Sequence, residues 1–387
     1  MIIKNFFKAR NFILASVLVA GLGHVTHAVA QQRSFLVDLN TRTVTLLGTL
    51  GEHAIAADIN DAGQVVGSSF TSGNPGHAFI TGPDGVGIRD LGSLGGVFSA
   101  EANGINKAGQ VAGTASAQVS ESAFITGPNG MGMTALGTLA GDSGSYGLAI
   151  NTAGQVVGQS VPGGTEFPAH AFITGPDGVG MRPLGTLGGT GSHASDINDA
   201  GQVVGSSVTA EGPDHAFITG PNGVGMRDLG TLAGDYRSDA RGINDAGQVV
   251  GRSITAAGLS HAFITGPDGV DMRDLGTLAG DHSSYASDIN DAGQVVGSSV
   301  TAEGLQRAFF TDANGTGMID LNSFFELPQG LILTEATGIN NNGQIVAVGV
   351  GIVPEPETYA MLLAGLALVG FMARNRELRR ERVSKRL

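Results

Sequence analysis

Short apolar runs separated by glycine-rich turns recur along most of this chain. In one unit, taken from Ser195, the hydrophobic and polar positions predict four strands, labelled a to d, at 195–198, 202–207, 215–219 and 226–229. Each run is a few residues long and is bounded by Asp, Asn, Gly or Pro, as strands joined by tight turns are. The pattern predicts antiparallel β-structure in which each unit has the size of a propeller blade.

The unit recurs with a nearly constant period. The phrase INDAGQVVG, or a close variant, has its asparagine at seven positions, in steps of 46, 45, 47, 46, 46 and 50 residues: Asn60, Asn106, Asn151, Asn198, Asn244, Asn290 and Asn340. A second phrase, HAFITGP followed by DLG, also occurs seven times if the divergent opening around Phe35 is included. A period of this length is typical of one supersecondary unit that is copied around a ring or along a solenoid.

The two ends of the repeated region complement each other. The chain begins with strands c and d alone, and the repeats end with strands a and b alone, at 336–348. We therefore predict an all-β, seven-bladed β-propeller of four-stranded blades over residues 31–352, in which the terminal half-units share one blade and close the ring. A parallel solenoid is the alternative fold, but it would need no complementary half-units.

The first 30 residues predict a signal peptide and not part of the fold. Three cations precede the apolar run 12–23, and Ala28 and Ala30 form a small-residue cleavage site before Gln31. We therefore expect export through the Sec machinery.

The segment 353–387 also departs from the repeat. Pro354, Glu355 and Pro356 precede an apolar stretch at 359–373 and then a tail with seven Lys and Arg residues. As a helix, this stretch would rise about 22 Å, which is shorter than a hydrocarbon core of roughly 30 Å. The basic tail would stay on the cytoplasmic side. We predict a short transmembrane segment that anchors the chain at the inner membrane, transiently or as a retained anchor.

Composition and charge narrow the range of partners. The chain has 387 residues, 63 of them Gly, and no Cys. Each terminal segment carries a net charge of +3, so the total of −13 leaves −19 for residues 31–353, where Lys107 is the single lysine. A body this acidic repels nucleic acid and anionic membrane surfaces. Without Cys, stability depends on packing and on ring closure.

Two motifs contain residue types that can bind a metal ion. Asp58, Asn60 and Gly63 give the first phrase a partial likeness to oxygen-rich calcium loops. However, the fifth ligand position is Ala in six copies and Asn342 in the seventh, and the leading Asp occurs only three times. We expect no cofactor, with calcium as the alternative, because a hairpin turn with an Asn side chain explains the pattern. The histidine of the HAF triplet is expected to hydrogen-bond within its own blade.

The copies differ most in the d–a and b–c connections, which emerge on one face of a four-stranded propeller. The residue five before each repeat Asn is expected to enter strand a from that face, near the axis, and Tyr146, Tyr236 and Tyr285 are predicted in d–a loops. Tyrosine rings and carboxylates suit stacking on sugars and recognition of hydroxyl groups, or a protein partner. The alternative is a solvated rim that varies because nothing constrains it. The candidate ligand-binding residues are Glu101, Tyr146, His193, Tyr236, Asp239, Tyr285 and Glu335.

The repeats and the C-terminal tail each resemble known bacterial sequences. The triplets at His77, His170, His215 and His261 resemble the HAF repeat of extracellular proteins, and the strand order is similar to kelch repeats. The tail, with its VPEP motif, apolar stretch and arginines, resembles the PEP-CTERM sorting signal. That resemblance implies recognition by an exosortase, with Pro354, Glu355 and Pro356 as the processing signal. It also implies release or attachment at the surface of bacteria that make extracellular polysaccharide.

Together these features lead to a functional hypothesis with two rivals. We expect a non-enzymatic, exported surface or extracellular-matrix protein that binds extracellular polysaccharide or a surface protein through its variable face. The first rival is a propeller hydrolase or lyase that acts on polysaccharide, with Glu101, Asp239 and Glu335 as acid and base. The second is a structural protein stiffened by calcium.

The processing predictions can be checked by mass spectrometry of the protein recovered from the cell surface or medium. We expect an N-terminal peptide that begins at Gln31, because the small-residue site lies immediately before it. A C-terminus upstream of the apolar stretch would show exosortase processing, whereas a terminus at Leu387 would show a retained anchor. Peptides that begin at Met1 would contradict the predicted signal peptide.

Overall fold

The structure is a computed structural model that describes residues 31–351, apart from 72–73, 96–98, 117–119 and 164–167. Several predictions for the two ends of the chain lie outside the described residues: the signal peptide 1–30 with Ala28 and Ala30, and the tail 353–387 with Pro354, Glu355, Pro356 and the apolar stretch 359–373.

The described part of the chain is almost entirely β-structure. The strands of its first half are β1 (Gln31–Asp38), β2 (Thr43–Leu46), β3 (His53–Ile59), β4 (Val65–Thr71), β5 (Asn74–Thr81), β6 (Ile88–Asp90), β7 (Ser99–Ile105), β8 (Val111–Ser116), β9 (Glu121–Gly127), β10 (Met131–Gly137), β11 (Asp142–Ile150), β12 (Val156–Pro162), β13 (His170–Ile173) and β14 (Arg182–Pro183). Those of its second half are β15 (Gly188–Ile197), β16 (Val203–Thr209), β17 (Asp214–Gly220), β18 (Val224–Gly230), β19 (Asp235–Ile243), β20 (Val249–Thr255), β21 (Ser260–Ile264), β22 (Arg273–Gly276), β23 (Asp281–Ile289), β24 (Val295–Thr301), β25 (Gln306–Asp312), β26 (Thr316–Asp320), β27 (Leu331–Ile339) and β28 (Gln344–Gly351). One short helix, α1 (Leu321–Phe324), follows β26.

These strands form seven four-stranded sheets, which confirms the predicted propeller. In six sheets the four strands follow one another along the chain, from β3–β6 to β23–β26. The seventh sheet joins the first and the last strands of the described region in the order β2-β1-β28-β27. The first strands of neighbouring blades contact one another around the whole ring, including β27 against β3. The predicted closure by complementary half-units is therefore also confirmed.

The innermost strand of each complete blade is longer than the sequence predicted. Strand a of the reference unit was placed at 195–198, but β15 pairs with β16 from Gly188 opposite Thr209 to Ile197 opposite Val203. Its first half, residues 188–192, contains only Gly, Thr and Ser and therefore lacks the apolar alternation that predicts a strand. The placement of three tyrosines in loops was therefore wrong, since they lie in β11, β19 and β23: Tyr146, Tyr236 and Tyr285.

Every innermost strand contains a β-bulge three residues before its repeat asparagine. In β19, Ala240 pairs with Gly251 and Gly242 pairs with Val250, so Arg241 is the extra residue. The same break in register occurs in the other six blades. Bulges re-aim side chains and increase strand twist. The facing glycine is required here, since a Cβ added to Gly251 would lie 2.1 Å from the carbonyl oxygen of Asp239.

Phenylalanines of the HAF phrase fill the contacts between blades. Phe263, for example, packs with Ile243 and Val249 of its own blade against Val204 and Ile218 of the preceding one. Burial of one such side chain contributes about 1.5–3 kcal/mol. The six fully buried rings are Phe79, Phe124, Phe172, Phe217, Phe263 and Phe309. This core is common to all blades, which explains why the phrase varies so little.

The repeat asparagines form a closed ring of hydrogen bonds. Each Asn Nδ2 donates to the carbonyl oxygen of the next repeat Asn, at 2.9–3.2 Å, and Asn340 completes the ring by donating to Asn60 at 3.0 Å. Each Nδ2 also donates to the Gln side chain four residues later. The asparagines are only 3–5% exposed. The phrase that predicted a hairpin turn therefore also joins each blade to the next.

The glutamines of the same phrase add a second set of links between blades. Gln344 Nε2, for example, donates to Asp84 Oδ1 at 3.0 Å, from the shared blade to the first complete one. Asp84 lies in the c–d turn in a left-handed conformation, with φ of 54°. Asp and Asn tolerate that conformation better than most residues do. The turn residue is thus chosen both by backbone geometry and by its contact with the neighbouring blade.

The ring of asparagines predicts a specific stability defect. Asn244→Asp keeps the Oδ1 that accepts from Gln248 N, but it replaces the Nδ2 donor with an oxygen that faces Asn290 O and Gln248 Oε1. We expect a loss of about 2–3 kcal/mol in the free energy of unfolding at neutral pH, because buried acceptors lose their donor. Thermal unfolding followed by circular dichroism measures it.

The defect should shrink at low pH, where a protonated carboxyl again supplies a donor. Asp245→Asn is the matched control, because it changes the neighbouring exposed carboxylate and leaves the asparagine in place. If both variants unfold at the same temperature as the parent, the ring of asparagines does not stabilise the propeller.

Candidate functional site

The axial channel has two chemically different ends. At the end formed by the a–b turns, here called the turn end, a small cavity of about 170 Å³ lies among the repeat asparagines and their neighbours. Backbone N–H groups there donate to the side chain of the next blade, for example Asp199 N to Asp245 Oδ1 at 3.0 Å and Asp245 N to Asp291 Oδ1 at 3.1 Å. The turn end therefore carries a second series of contacts between blades, in addition to the ring of asparagines.

Lys107, the single lysine of the body, lies across the turn end. Its Nζ is 3.1 Å from Asp199 Oδ2 and 3.9 Å from Asp245 Oδ2, two blades and three blades away along the ring. The hydrogen bond with Asp199 raises the pKa of Lys107. An internal cation thus offsets part of the negative charge at this end.

Three further carboxylates line the inner side of the turn end. Asp58, Asp196 and Asp288 each accept one N–H from their own strand and one from the next blade, as Asp288 does from Ile289 at 2.7 Å and from Ile339 at 2.8 Å. Burial raises the pKa of Asp58 to about 7 and that of Asp288 to about 6, and it raises the pKa of Asp196 well above its usual range. The three aspartates thus act as acceptors between blades.

The calcium alternative rests on the loop at residues 58–63. The side-chain oxygens of this loop accept hydrogen bonds from the protein backbone. Asn60 Oδ1 accepts from Ala62 N at 3.1 Å and from Gln64 N at 3.0 Å, while both oxygens of Asp58 accept backbone N–H groups. Among the residues that the structure describes, no three acidic or histidine side chains are arranged to hold a metal ion.

The other end of the channel opens into a much larger depression. Two adjoining cavities of about 590 Å³ and about 720 Å³ share His193, Ser195, Arg241 and Arg252 in their walls. We call this combined depression the funnel. Each cavity has a size typical of ligand sites.

The bulged residues of the innermost strands supply much of the funnel wall. Six of the seven line it: Asn103, Leu148, Ser195, Arg241, Ser287 and Thr337. We did not select this position from the sequence, although it varies between repeats inside an otherwise monotonous phrase. That variation was the available signal, and the β-bulge is the reason that the side chains face the channel.

A pair of arginines on one aspartate is the most distinctive feature of the funnel. Asp239 Oδ1 accepts from Arg241 Nε at 2.9 Å, and its Oδ2 accepts from Arg252 Nε at 2.6 Å. Asp239 is only 17% exposed at its side chain, whereas Arg241 is 50% exposed. Arg252 also lies over the ring of Tyr285, 5.5 Å from its centre. The carboxylate therefore orients two guanidinium groups that reach into the cavity.

Three other predicted residues lie around these arginines. His193 Nδ1 is 2.9 Å from Gln159 Oε1, and burial, with a smaller effect of the Arg241 charge, lowers the pKa of His193 to about 4. The imidazole is therefore neutral at physiological pH. Burial also raises the pKa of Glu335, an effect that the nearby Arg241 opposes. Tyr285 and Glu335 both line the smaller cavity.

The structure thus brings together four of the seven predicted ligand-binding residues and separates the rest. His193, Asp239, Tyr285 and Glu335 meet in the funnel. Glu101 and Tyr146 hold the equivalent strand positions in other blades but are not part of the two cavities. Tyr236 lies at the beginning of β19, is 57% exposed and is also outside them. The position of these residues within the repeat did not reveal which of them lie together in the funnel.

The HAF histidines hydrogen-bond to aspartates of their own sheets. His77, His215 and His261 lie 2.9–3.2 Å from an Asp in strand d, and His170 lies 3.1 Å from Asp142 in strand a. Where the triplet has Arg307, the guanidinium contacts both equivalent positions, Asp281 at 2.6 Å and Asp320 at 3.1 Å. These residues support the blade and do not face the channel.

Comparison with known families identifies the tail. Residues 353–377 match the family described as the PEP-CTERM protein-sorting motif, so the chain carries this motif at its C-terminus. The motif implies an exported protein that an exosortase processes. No curated protein matches the chain. The likeness of the repeats to HAF and kelch repeats stays a prediction. Among the described residues, no helix is long and apolar enough to cross a membrane.

Solved structures that match this chain with a TM-score above 0.5 share its fold. The propeller domain of the Trilobed protease from Pyrococcus furiosus matches with a TM-score of 0.53 and 11% identity, over 76% of this chain and 88% of that one. The acylaminoacyl peptidase of Pyrococcus horikoshii matches with a TM-score of 0.51 and 9% identity, over 74% of this chain and 47% of the peptidase. TolB from Acinetobacter baumannii matches with a TM-score of 0.44 and 14% identity, over 68% and 67%. The Trilobed protease domain is described as having an open Velcro topology, whereas here the two chain ends share one sheet.

The buried aspartates of the turn end predict an unusual pH dependence of stability. Because the pKa of Asp58 is raised to about 7 and that of Asp288 to about 6, the folded protein binds protons that the unfolded carboxyls, at 3.8, have released. These groups therefore make the free energy of unfolding decrease as pH rises from about 4 to about 7. His193 acts in the opposite direction, because its pKa is lowered to about 4.

A comparison of variants isolates the contribution of the aspartates. We expect Asp288→Ala, which introduces the residue found at Ala149 of another blade, to flatten the fall in melting temperature between about pH 4 and about pH 6, the range between its unfolded and folded pKa values. Glu211→Ala removes one exposed carboxylate and serves as the control for net charge. Equal pH profiles for both variants and the parent would show that the aspartates do not titrate in this range.

Proposed function

We propose that this chain is an exported, non-enzymatic binding protein and that its funnel holds a segment of extracellular polysaccharide. One observation carries the proposal: side chains that vary between repeats, including Arg241, His193 and Tyr285, converge in the funnel. The invariant Asn and Gln residues tie the ring at the opposite end. Variable side chains on a rigid scaffold are a common arrangement for recognition.

The lining of the funnel suits a saccharide. Neutral hydrogen-bonding groups surround the cavity and could pair with sugar hydroxyls: Asn103, Ser195, Ser287, Ser298, Gln306 and Thr337. Tyr285 adds an aromatic ring, and such rings combine an apolar face with a polar end. The smaller cavity has a volume of about 590 Å³, which is enough for a short oligosaccharide segment.

The charge pattern weighs against the hydrolase or lyase alternative. Glycoside hydrolysis uses two carboxyl groups on either side of one bond. Both oxygens of Asp239 are occupied by guanidinium groups, and Glu101 is outside the two cavities. Glu335 would then lack a carboxyl partner from the predicted set. The similarity to peptidases concerns the propeller fold, which hosts many functions.

Two tyrosine variants provide a matched test. Tyr285→Ala removes a ring from the funnel, whereas Tyr236→Ala removes an exposed ring outside it. We expect the first variant to weaken binding of polysaccharide from the producing cell by about 3- to 10-fold, the range for loss of one aromatic contact. The second should bind as the parent does. Isothermal titration calorimetry on the exported protein measures both, with melting temperature as the folding control.

Three outcomes would contradict the proposal. The parent protein could retain no polysaccharide from the producing cell. It could bind a surface protein through the funnel instead, with Tyr285→Ala abolishing that contact. It could also convert the polysaccharide into shorter products, which would establish an enzyme.

A further inference from the structure

We infer that the saccharide bound in the funnel carries a carboxylate group, which Arg241 and Arg252 hold together. This inference rests on the proposed function and specifies the class of its ligand. It derives from the chemistry of the funnel, where two oriented guanidinium groups project into a cavity lined mainly by neutral polar groups.

The first support is the state of seven cations that lie outside the funnel. Lys107 pairs with Asp199, Arg307 pairs with Asp281 and Asp320, and Arg42 lies over the ring of Phe324. Four arginines of the outer strands donate to a carbonyl oxygen in the turn of the next blade: Arg89, Arg182, Arg227 and Arg273. These cations serve the scaffold.

Arg241 and Arg252 differ from these cations because their terminal nitrogens are free to donate hydrogen bonds to a ligand. Arg241 and Arg252 each use Nε for Asp239, and no Nη of either has a hydrogen-bond partner among the described residues. Guanidinium groups bind carboxylates with two parallel N–H donors. Because Asp239 and the Tyr285 ring hold these groups in place, less side-chain entropy is lost when a ligand binds.

The surrounding charges favour a ligand that places one carboxylate against the arginines and keeps any other negative group at least one sugar ring away. Arg237 also lines the larger cavity, but Glu335, Asp214 and the strongly acidic body of the protein are negative. A densely charged polyanion would meet repulsion from these groups, although salt screens charges beyond about 8 Å. A sugar chain with one carboxylate per ring can place one of them against the arginines and present its hydroxyls to Glu335 and to the neutral side chains.

The experiment compares trigalacturonate with its methyl ester on the purified exported protein. The two trisaccharides have the same ring structure, but the ester lacks the negative charges. We expect trigalacturonate to bind at least about 10-fold more tightly than the ester. Arg241→Gln and Arg252→Gln should each weaken trigalacturonate binding on the order of 10- to 100-fold, because a charge-assisted contact is lost. Arg182→Gln, an outer-strand arginine, is the control and should change the affinity little.

Asp239→Asn separates positioning from simple charge. It removes a negative charge next to the ligand, so attraction by net charge alone predicts tighter binding of trigalacturonate. If Asp239 positions the arginines through their Nε atoms, the same variant should bind more weakly, by about 3- to 10-fold. Arg241→Lys should also bind more weakly, because lysine retains the charge but not the paired donors.

The results distinguish this inference from the proposed function. Equal binding of the acid and the ester, with Tyr285→Ala still weakening both, would overturn the carboxylate inference and support the proposed function. Tighter binding of sulfated trisaccharide or of inorganic phosphate than of trigalacturonate would also overturn it. Binding of neither trisaccharide nor of polysaccharide from the producing cell would overturn both.

Discussion

The hydrogen bonds between successive repeat asparagines are the interaction on which this fold depends. Each Asn side chain closes its own a–b turn through Oδ1, and its Nδ2 donates to the backbone of the next blade. A donor or acceptor left unpaired at such a buried position costs about 1–3 kcal/mol. The ring therefore specifies the register of every blade against its neighbour, including the contact from Asn340 to Asn60 that joins the two ends of the chain.

That constraint separates structural residues from residues that are free to vary. The Asn, Gly and Gln of INDAGQVVG, with the HAF phenylalanine, are used for turns and for contacts between blades. The β-bulge three residues before the asparagine turns one side chain into the channel in six of the seven blades, outside the ring of asparagines. The same geometry can thus present Arg241 in one blade and Ser195 or Leu148 in others. Substitution at these positions changes the lining of the funnel without change to the scaffold.

The prediction from sequence was most successful where the evidence repeats. Blade number, turn positions and the shared blade followed from seven copies and two complementary half-units, and the structure confirms them. It was less successful at the beginning of the innermost strands, which were interpreted as loops because their small polar residues show no alternation. Those residues are in strands because they pair with strand b, a long-range contact that local composition does not reveal.

The candidate site, like the fold, was predicted from the sequence only in part. The variation at the fifth residue before each Asn selected His193, Asp239, Tyr285 and Glu335, which meet in the funnel, and their role in ligand binding stays a prediction. It also selected Glu101 and Tyr146, which occupy the same position on other blades but lie outside the cavities. Arg241 and Arg252 were missed, because one requires the bulge to face the channel and the other is recognised only as the cross-strand partner of Asp239.

By itself the sequence determined the architecture, because a unit that cannot bury its own apolar face must stack on copies of itself, and the number of copies sets the ring. It also determined the sorting motif, which is a contiguous stretch of residues. Only the tertiary structure decided which side chains share a cavity. Residues of different blades are separated by about 46 positions or more in the chain, and their meeting depends on ring closure, bulge direction and the pairing of Asp239 with two arginines.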